Sequence, residues 1–209
     1  MLEIRNLACL KGESLLFRGV NARIAPGEVV HLTGENGAGK TSLLRLLSGL
    51  VEPEQGEVCW QGAPVRTAQH GASPVHYLGH KLAVHDDLSA RENLRFLLAA
   101  DGLEIPEAEQ QRVLGDFGLG LRGGRADLPV AVLSAGQRRR VGLARLVFAA
   151  GKPLWLLDEP MTALDVATAA RVAELMDAHA RRGGVVIFTS HQTVTLRQPV
   201  REWMLGAQG

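Results

Sequence analysis

The chain has almost no net charge, two cysteines and no long apolar run, and each shortage excludes something. Lys and Arg number 23 against 22 Asp and Glu, a net charge of +1. No global field therefore draws the protein to nucleic acid or to an acidic membrane. The short basic run Arg138-Arg139-Arg140 has the character of a solvated helix face. Cys9 and Cys59 stand alone, without metal-type spacing. The N-terminus, "MLEIRNL", has no apolar signal core. Both features predict a reducing, cytosolic setting. No stretch approaches the roughly 18 uninterrupted apolar residues of a membrane span. Any work at a membrane must go through a partner.

What is present suits one domain over residues 1–209, with 46% hydrophobic and 22% charged residues. A chain of that size can bury a substantial core. The short stretch beyond His191 predicts no added regulatory domain. Continuous apolar runs occur at Val29–Leu32, Leu154–Leu157 and Val185–Phe188. Unbroken rather than alternating hydrophobicity suits parallel strands covered on both faces. Helical patterns lie between them, at Ser42–Leu50 and Ala167–Arg181, so the expected class is α/β. "RGVNARIAPGEVV" and "GEVCWQGAPV" read as antiparallel strands joined by Gly and Pro turns. Over about 81–147 the texture turns helical. Ser89 and Glu92 form a capping box that opens a helix with Leu94, Leu97 and Leu98 on one face. This segment reads as a helical insertion in the α/β core.

"GENGAGKT" follows the first of those strands and precedes a helix. It fits the phosphate-binding loop G-x-x-x-x-G-K-[ST]. Gly34, Glu35, Asn36, Gly37, Ala38 and Gly39 would turn successive backbone N–H groups toward phosphate oxygens. Ser42 continues the loop into a helix whose N-terminus favours negative charge. Lys40 would reach the β and γ phosphates of a nucleotide, and the Thr41 hydroxyl would ligate Mg²⁺. "LWLLDEP" is an apolar strand ending in two acids. Asp158 suits the Mg²⁺-holding acid of a P-loop NTPase. Glu159, one residue further on, can orient and polarise an attacking water. "LSAGQRRRVGLARL" opens a second helix, where Ser134, Gly136 and Gln137 offer a hydroxyl and backbone donors to an anion. With one phosphate cradle already present, this second one calls for another molecule's nucleotide.

The order "GENGAGKT", "LSAGQ", "LWLLDEP", "TALD", "TSH" resembles the ATP-binding subunits of ABC transporters over essentially the whole chain. That resemblance implies a P-loop NTPase core: a RecA-like parallel sheet with helices, an antiparallel β subdomain and an inserted helical subdomain. It implies ATP and Mg²⁺ as ligands, and a homodimer with ATP at the interface. Asp165 becomes the acid at the dimer seam, and His191 the switch histidine that touches the γ-phosphate. The signature departs from the commonest LSGGQ by one residue, Ala135.

"YLGHKLAVHDDLSARENL" holds two of the chain's seven histidines, His80 and His85, with His76 just before it. Three so close invite a metal or haem reading. The resemblance gives another, because His80 stands where most ABC ATPases carry a glutamine that contacts Mg²⁺ and the attacking water. An imidazole can still accept from water, though it prefers softer metals than Mg²⁺. His76 and His85 then read as ordinary loop or strand residues. With "GEVCWQG" and "LSAGQRRRVGLARL", the stretch is similar to the ATPase subunits of cytochrome c maturation systems. That implies a peripheral site on the cytoplasmic side of a bacterial inner membrane, CcmB-type transmembrane partners two plus two, and haem as a candidate cargo. The alternatives are the ATPase of another ABC exporter or a soluble ABC ATPase acting on nucleic acid. In "CLKGES", Lys11 or a neighbour replaces the aromatic residue that often stacks on adenine in the family.

Overall fold

The computed structural model describes residues 1–12, 14–65, 73–120 and 125–206. Glu13 of "CLKGES" and part of the expected helical insertion lie outside the described residues. The chain opens with β1 (Leu2–Lys11), β2 (Ser14–Ile24) and β3 (Val29–Thr33), followed by α1 (Lys40–Leu47). Next come β4 (Gln55–Trp60), β5 (Ala63–Pro64) and β6 (Val75–Leu78). The helices α2 (Ala90–Ala100), α3 (Glu107–Asp116) and α4 (Ala135–Ala144) follow. The last elements are β7 (Leu154–Leu157), α5 (Val166–Arg181), β8 (Val185–Phe188) and β9 (Val200–Met204).

Two compact units result. The first comprises residues 1–80, 152–160 and 176–209. It contains a five-stranded sheet in the order β6-β7-β8-β3-β9, with every neighbouring pair parallel. β7 and β8 are buried along their whole length, as their unbroken apolar runs require. A four-stranded antiparallel sheet runs β2-β1-β4-β5. Leu43, Leu44, Leu46 and Leu47 of α1 share one apolar cluster with residues of both sheets, among them Leu2, Leu32 and Leu156. That cluster fixes α1, and so the loop that leads into it.

The helix expected over 42–50 begins at Lys40 and stops at Leu47. Gly49 supplies the left-handed residue, φ 74°, that ends it. Three strands carried no clear sequence signal. β1 breaks its own alternation at register shifts after Ile4 and Leu7, β6 is four residues long, and β9 is mostly exposed.

The second unit comprises residues 81–151 and 161–175. Its core is Leu94, Leu97 and Leu98 of α2 with Val113, Leu114, Phe117, Val141 and Leu143. Ser89 caps α2, its hydroxyl accepting from the Glu92 N–H at 3.2 Å while Glu92 accepts from the Ser89 N–H at 2.8 Å. Buried Asn93 accepts from the His85 N–H at 2.7 Å and donates to the carbonyls of His85 and Leu88, pinning the loop ahead of the helix.

Candidate functional site

The loop between β3 and α1 curls over its own lysine. Lys40 Nζ donates to the Gly34 carbonyl at 2.7 Å and to the Glu35 carbonyl at 3.0 Å. Gly34 has φ 142°, and a Cβ there would sit 2.9 Å from the Leu205 carbonyl oxygen. Only glycine fits such a position. Thr41, on the first turn of α1, donates to Asp158 Oδ2 at 2.8 Å.

Asp158 leaves the end of β7 with its backbone N–H bonded to the Leu78 carbonyl at 2.7 Å. Its carboxylate is buried, and Oδ1 accepts from Thr189 Oγ1 at 2.8 Å. Both of its oxygens are therefore held by hydroxyls, which fixes the plane of the group. Glu159 takes the left-handed conformation, φ 52°, a state that costs a side-chain-bearing residue about 1 kcal/mol. Its N–H donates to Thr189 Oγ1 at 2.9 Å. Its Oε1 lies 3.0 Å from His191 Nε2. Strained backbone at a polar, pocket-facing residue is characteristic of functional sites. Glu159, His191 and the phosphate loop line a cavity of about 250 Å³ together with Lys11 and Leu16.

Thr189 was not singled out by the sequence, yet it holds both acids. A lone threonine after an apolar strand carries no signal of its own. Its place two residues before His191 in "TSH" is the only hint.

His80 is exposed and lies beyond β6, whose last residue Leu78 pairs with Leu157 of β7. It leaves the sheet at the same carboxyl edge as Asp158, the edge where open α/β sheets bind ligands. His76 is buried on β6 with its ring against Trp155, and His85 meets Phe96 edge-on. Among the described residues, no three His, Cys, Asp or Glu side chains are grouped so as to hold a metal.

In the second unit, Ser134 caps α4. Its hydroxyl accepts from the Gln137 N–H at 3.2 Å, and Gln137 Oε1 accepts from the Ser134 N–H at 2.9 Å. A Cβ at Gly136 would lie 2.9 Å from the Ala163 carbonyl oxygen, so this position is restricted to glycine. Asp165 caps α5 by accepting from the Thr168 N–H at 2.8 Å. That bond is the main reason its carboxyl is held below its ordinary pKa. Arg140 reaches toward Asp165 at 3.8 Å and donates to the Phe117 carbonyl at 3.2 Å. The structure thus groups the expected site residues in two sets. The phosphate loop, Asp158, Glu159 and His191 share the first unit, and Ser134, Gly136, Gln137 and Asp165 share the second.

Residues 17–162 match the ABC transporter family. The chain belongs to that family. ATP binding and ATP hydrolysis come with this membership. The chain is 48% identical over 202 residues to the cytochrome c biogenesis ATP-binding export protein CcmA of Aromatoleum aromaticum, covering 95% of this chain and 92% of that one. It is 47% identical to the CcmA of Nitrosomonas europaea, over 94% of this chain and 91% of that one. Among solved structures, a Pyrococcus furiosus protein described as a putative ABC transporter ATP-binding protein has a TM-score of 0.79 at 24% identity, covering 98% of this chain and 96% of that one. A dimeric ATP-binding cassette in a post-hydrolysis state with ADP and Pi has a TM-score of 0.76 at 24% identity, covering 92% and 88%. The P-loop ABC fold is thereby shown. Among the described residues no helix is long and apolar enough to cross a membrane.

Proposed function

We propose that this chain is the ATP-hydrolysing subunit of an ABC transporter serving c-type cytochrome biogenesis. One observation carries the reading. The phosphate loop, Glu159 and His191 meet at one cavity, with Asp158 bonded to Thr41 of its lining, in a chain 47–48% identical to CcmA proteins over more than nine-tenths of its length. Residues 1–209 act as one ABC ATPase domain, with about 81–147 as its helical subdomain. The backbone donors of residues 34–39, Lys40 and Ser42 hold the nucleotide phosphates. The oxygens of Thr41 and Asp158, 2.8 Å apart, form the hard donor pair that suits Mg²⁺. Bound there, Mg²⁺ supplies charge neutralisation on the phosphates. Glu159 takes the proton of the attacking water, and His191 fixes the orientation of that carboxylate. His80 offers an imidazole acceptor at the edge of the same site.

Two copies pair head to tail, and Ser134, Gly136, Gln137 and Asp165 of each complete the nucleotide site of the other. The dimer works against CcmB-type transmembrane subunits, two plus two, on the cytoplasmic face of the inner membrane. Its energy drives haem export or release of a haem chaperone.

The test is functional replacement in bacteria that lack their own CcmA. The native chain should restore c-type cytochromes and co-purify from membranes with a CcmB-type subunit, and Glu159→Gln should restore none. A chain that hydrolyses ATP but neither restores cytochromes nor finds a membrane partner would belong to another transporter.

A further inference from the structure

A second histidine stands behind the switch turn. His31 lies on β3, three residues before the phosphate loop begins, and is half-buried. Its Nε2 is 3.3 Å from the carbonyl oxygen of Ser190. The ring stacks on Phe188 of β8, with centroids 4.8 Å apart and planes within 4° of parallel. In register, β3 and β8 set His31 beside Phe188, and β9 sets Glu202 on its other side. Glu202 and His191 are the titratable groups that share the adjoining cavity with His31.

Ser190 joins two residues of the candidate site. Thr189 before it holds Asp158 and Glu159, and His191 after it reaches Glu159. The hydroxyl of Ser190 is committed to its own turn, donating to the Gln192 carbonyl at 2.7 Å and accepting from the Gln192 N–H at 3.0 Å. The ladder reaches Thr189, whose N–H donates to the Leu157 carbonyl at 3.0 Å. One residue on, the ring nitrogen of His31 ties the Ser190 carbonyl back to β3.

We infer that His31 is a positioning residue for His191. Its N–H, donated to the Ser190 carbonyl, holds the turn that aims His191 at Glu159. The ring also links this turn to the strand that feeds the phosphate loop. The inference rests on the ATPase reading above, because it names what holds that site's switch histidine. It adds a residue to which neither the motifs nor the family membership assigns a role.

Two substitutions separate the hydrogen bond from the packing. His31→Phe keeps an aromatic ring on Phe188 and removes the donor. His31→Gln gives up the ring and keeps an N–H of similar reach. The donor is expected to matter more. In His31→Phe, kcat for ATP should fall about tenfold, equivalent to about 1.4 kcal/mol. KM for ATP should stay within about twofold, since the phosphate loop is untouched. His31→Gln should recover most of the loss.

A second measurement needs no turnover. The ¹H–¹³C chemical shift of the His191 ring, assigned with His191→Gln, should move in His31→Phe and return toward native in His31→Gln. Native kcat in His31→Phe with an unmoved His191 resonance overturns the inference, and so does an equal loss in both variants. If the native protein turns over no ATP, the ATPase reading fails, and the ring-shift comparison still decides the role of His31.

Discussion

His191 Nε2 and Glu159 Oε1 stand 3.0 Å apart, so the residues proposed as switch histidine and water-polarising acid are within hydrogen-bond reach of each other. Glu159 is further fixed through its backbone, where its N–H meets Thr189 Oγ1. A glutamine at 159 keeps an oxygen for His191 and the same backbone bond, but cannot take a proton from water. Glu159→Gln should therefore hold its geometry and lose turnover, by at least about 100-fold in kcat. Nucleotide affinity should stay within about threefold. The measurements are steady-state ATPase and equilibrium binding of ATP, and near-native turnover would remove Glu159 from the role of base.

A related expectation concerns the second set of residues. The hydroxyl of Ser134 accepts from the Gln137 N–H, and in the proposed head-to-tail dimer its proton would be donated to a phosphate of the opposite copy's nucleotide. Ser134→Arg should leave ATP affinity of the monomer within about threefold, a change well under about 1.4 kcal/mol, while hydrolysis collapses. Some helix stability is lost with the cap, about 1 kcal/mol. Binding by the monomer and ATPase at high protein concentration separate the cases. A large loss of monomer affinity would place Ser134 beside its own chain's nucleotide.

Parts of this site were legible in the sequence because their chemistry needs fixed spacing. Gly34 to Thr41 and the strand ending in Asp158 and Glu159 are local patterns, each set by one turn of backbone. Thr189 and His31 were not legible. Their partners are 31 residues away for Thr189 and Asp158, and 159 for His31 and Ser190. Strand register alone brings these residues together. The signature shows the same division. That Ala135 replaces a family glycine is read directly from the chain. Why Gly136 is confined to glycine appears only from the carbonyl of Ala163, 2.9 Å from where a Cβ would be. In the fold, the buried strands β7 and β8 were plain from their unbroken apolar runs. The exposed edge strand β9 offered no such pattern.

Base selectivity should be weak. Lys11 and Leu16 line the cavity where related proteins often place an aromatic ring. A lysine stem and a leucine give apolar contact without the stacking that adds about 0.5–1.5 kcal/mol for an aromatic pair. ATP and GTP should therefore bind within a few-fold of each other. Lys11→Tyr should tighten ATP binding by roughly threefold to tenfold. Competition of both nucleotides for a fluorescent analogue measures this. Strong native preference for ATP would mean that another group reads the base.

The last prediction concerns a histidine remote from these motifs. His179 of α5 is buried, with its ring stacked on Trp155 at 4.1 Å and 12°. Its Nε2 donates to the Pro153 carbonyl at 3.3 Å. Gly184 leaves the room, since a Cβ there would lie 2.1 Å from that nitrogen. Burial is the main cause that pushes the imidazole pKa down to about 4, against the weaker opposing effect of the Pro153 bond. In the unfolded chain it titrates near 6.5. Between those values the unfolded state binds more protons than the native state, so stability must fall as the pH is lowered. The contribution is complete above about pH 6.5 and drains through the window down to about pH 4, at no more than about 1.4 kcal/mol per pH unit. His179→Leu cannot titrate. It should start less stable at pH 7.5, because stacking and a hydrogen bond are gone, yet lose less on acidification. Urea unfolding of both proteins at pH 7.5 and pH 5 gives the comparison, with the carboxylates common to both cancelling. A stability difference that stays constant between the two pH values would show that His179 is not the buried neutral group described.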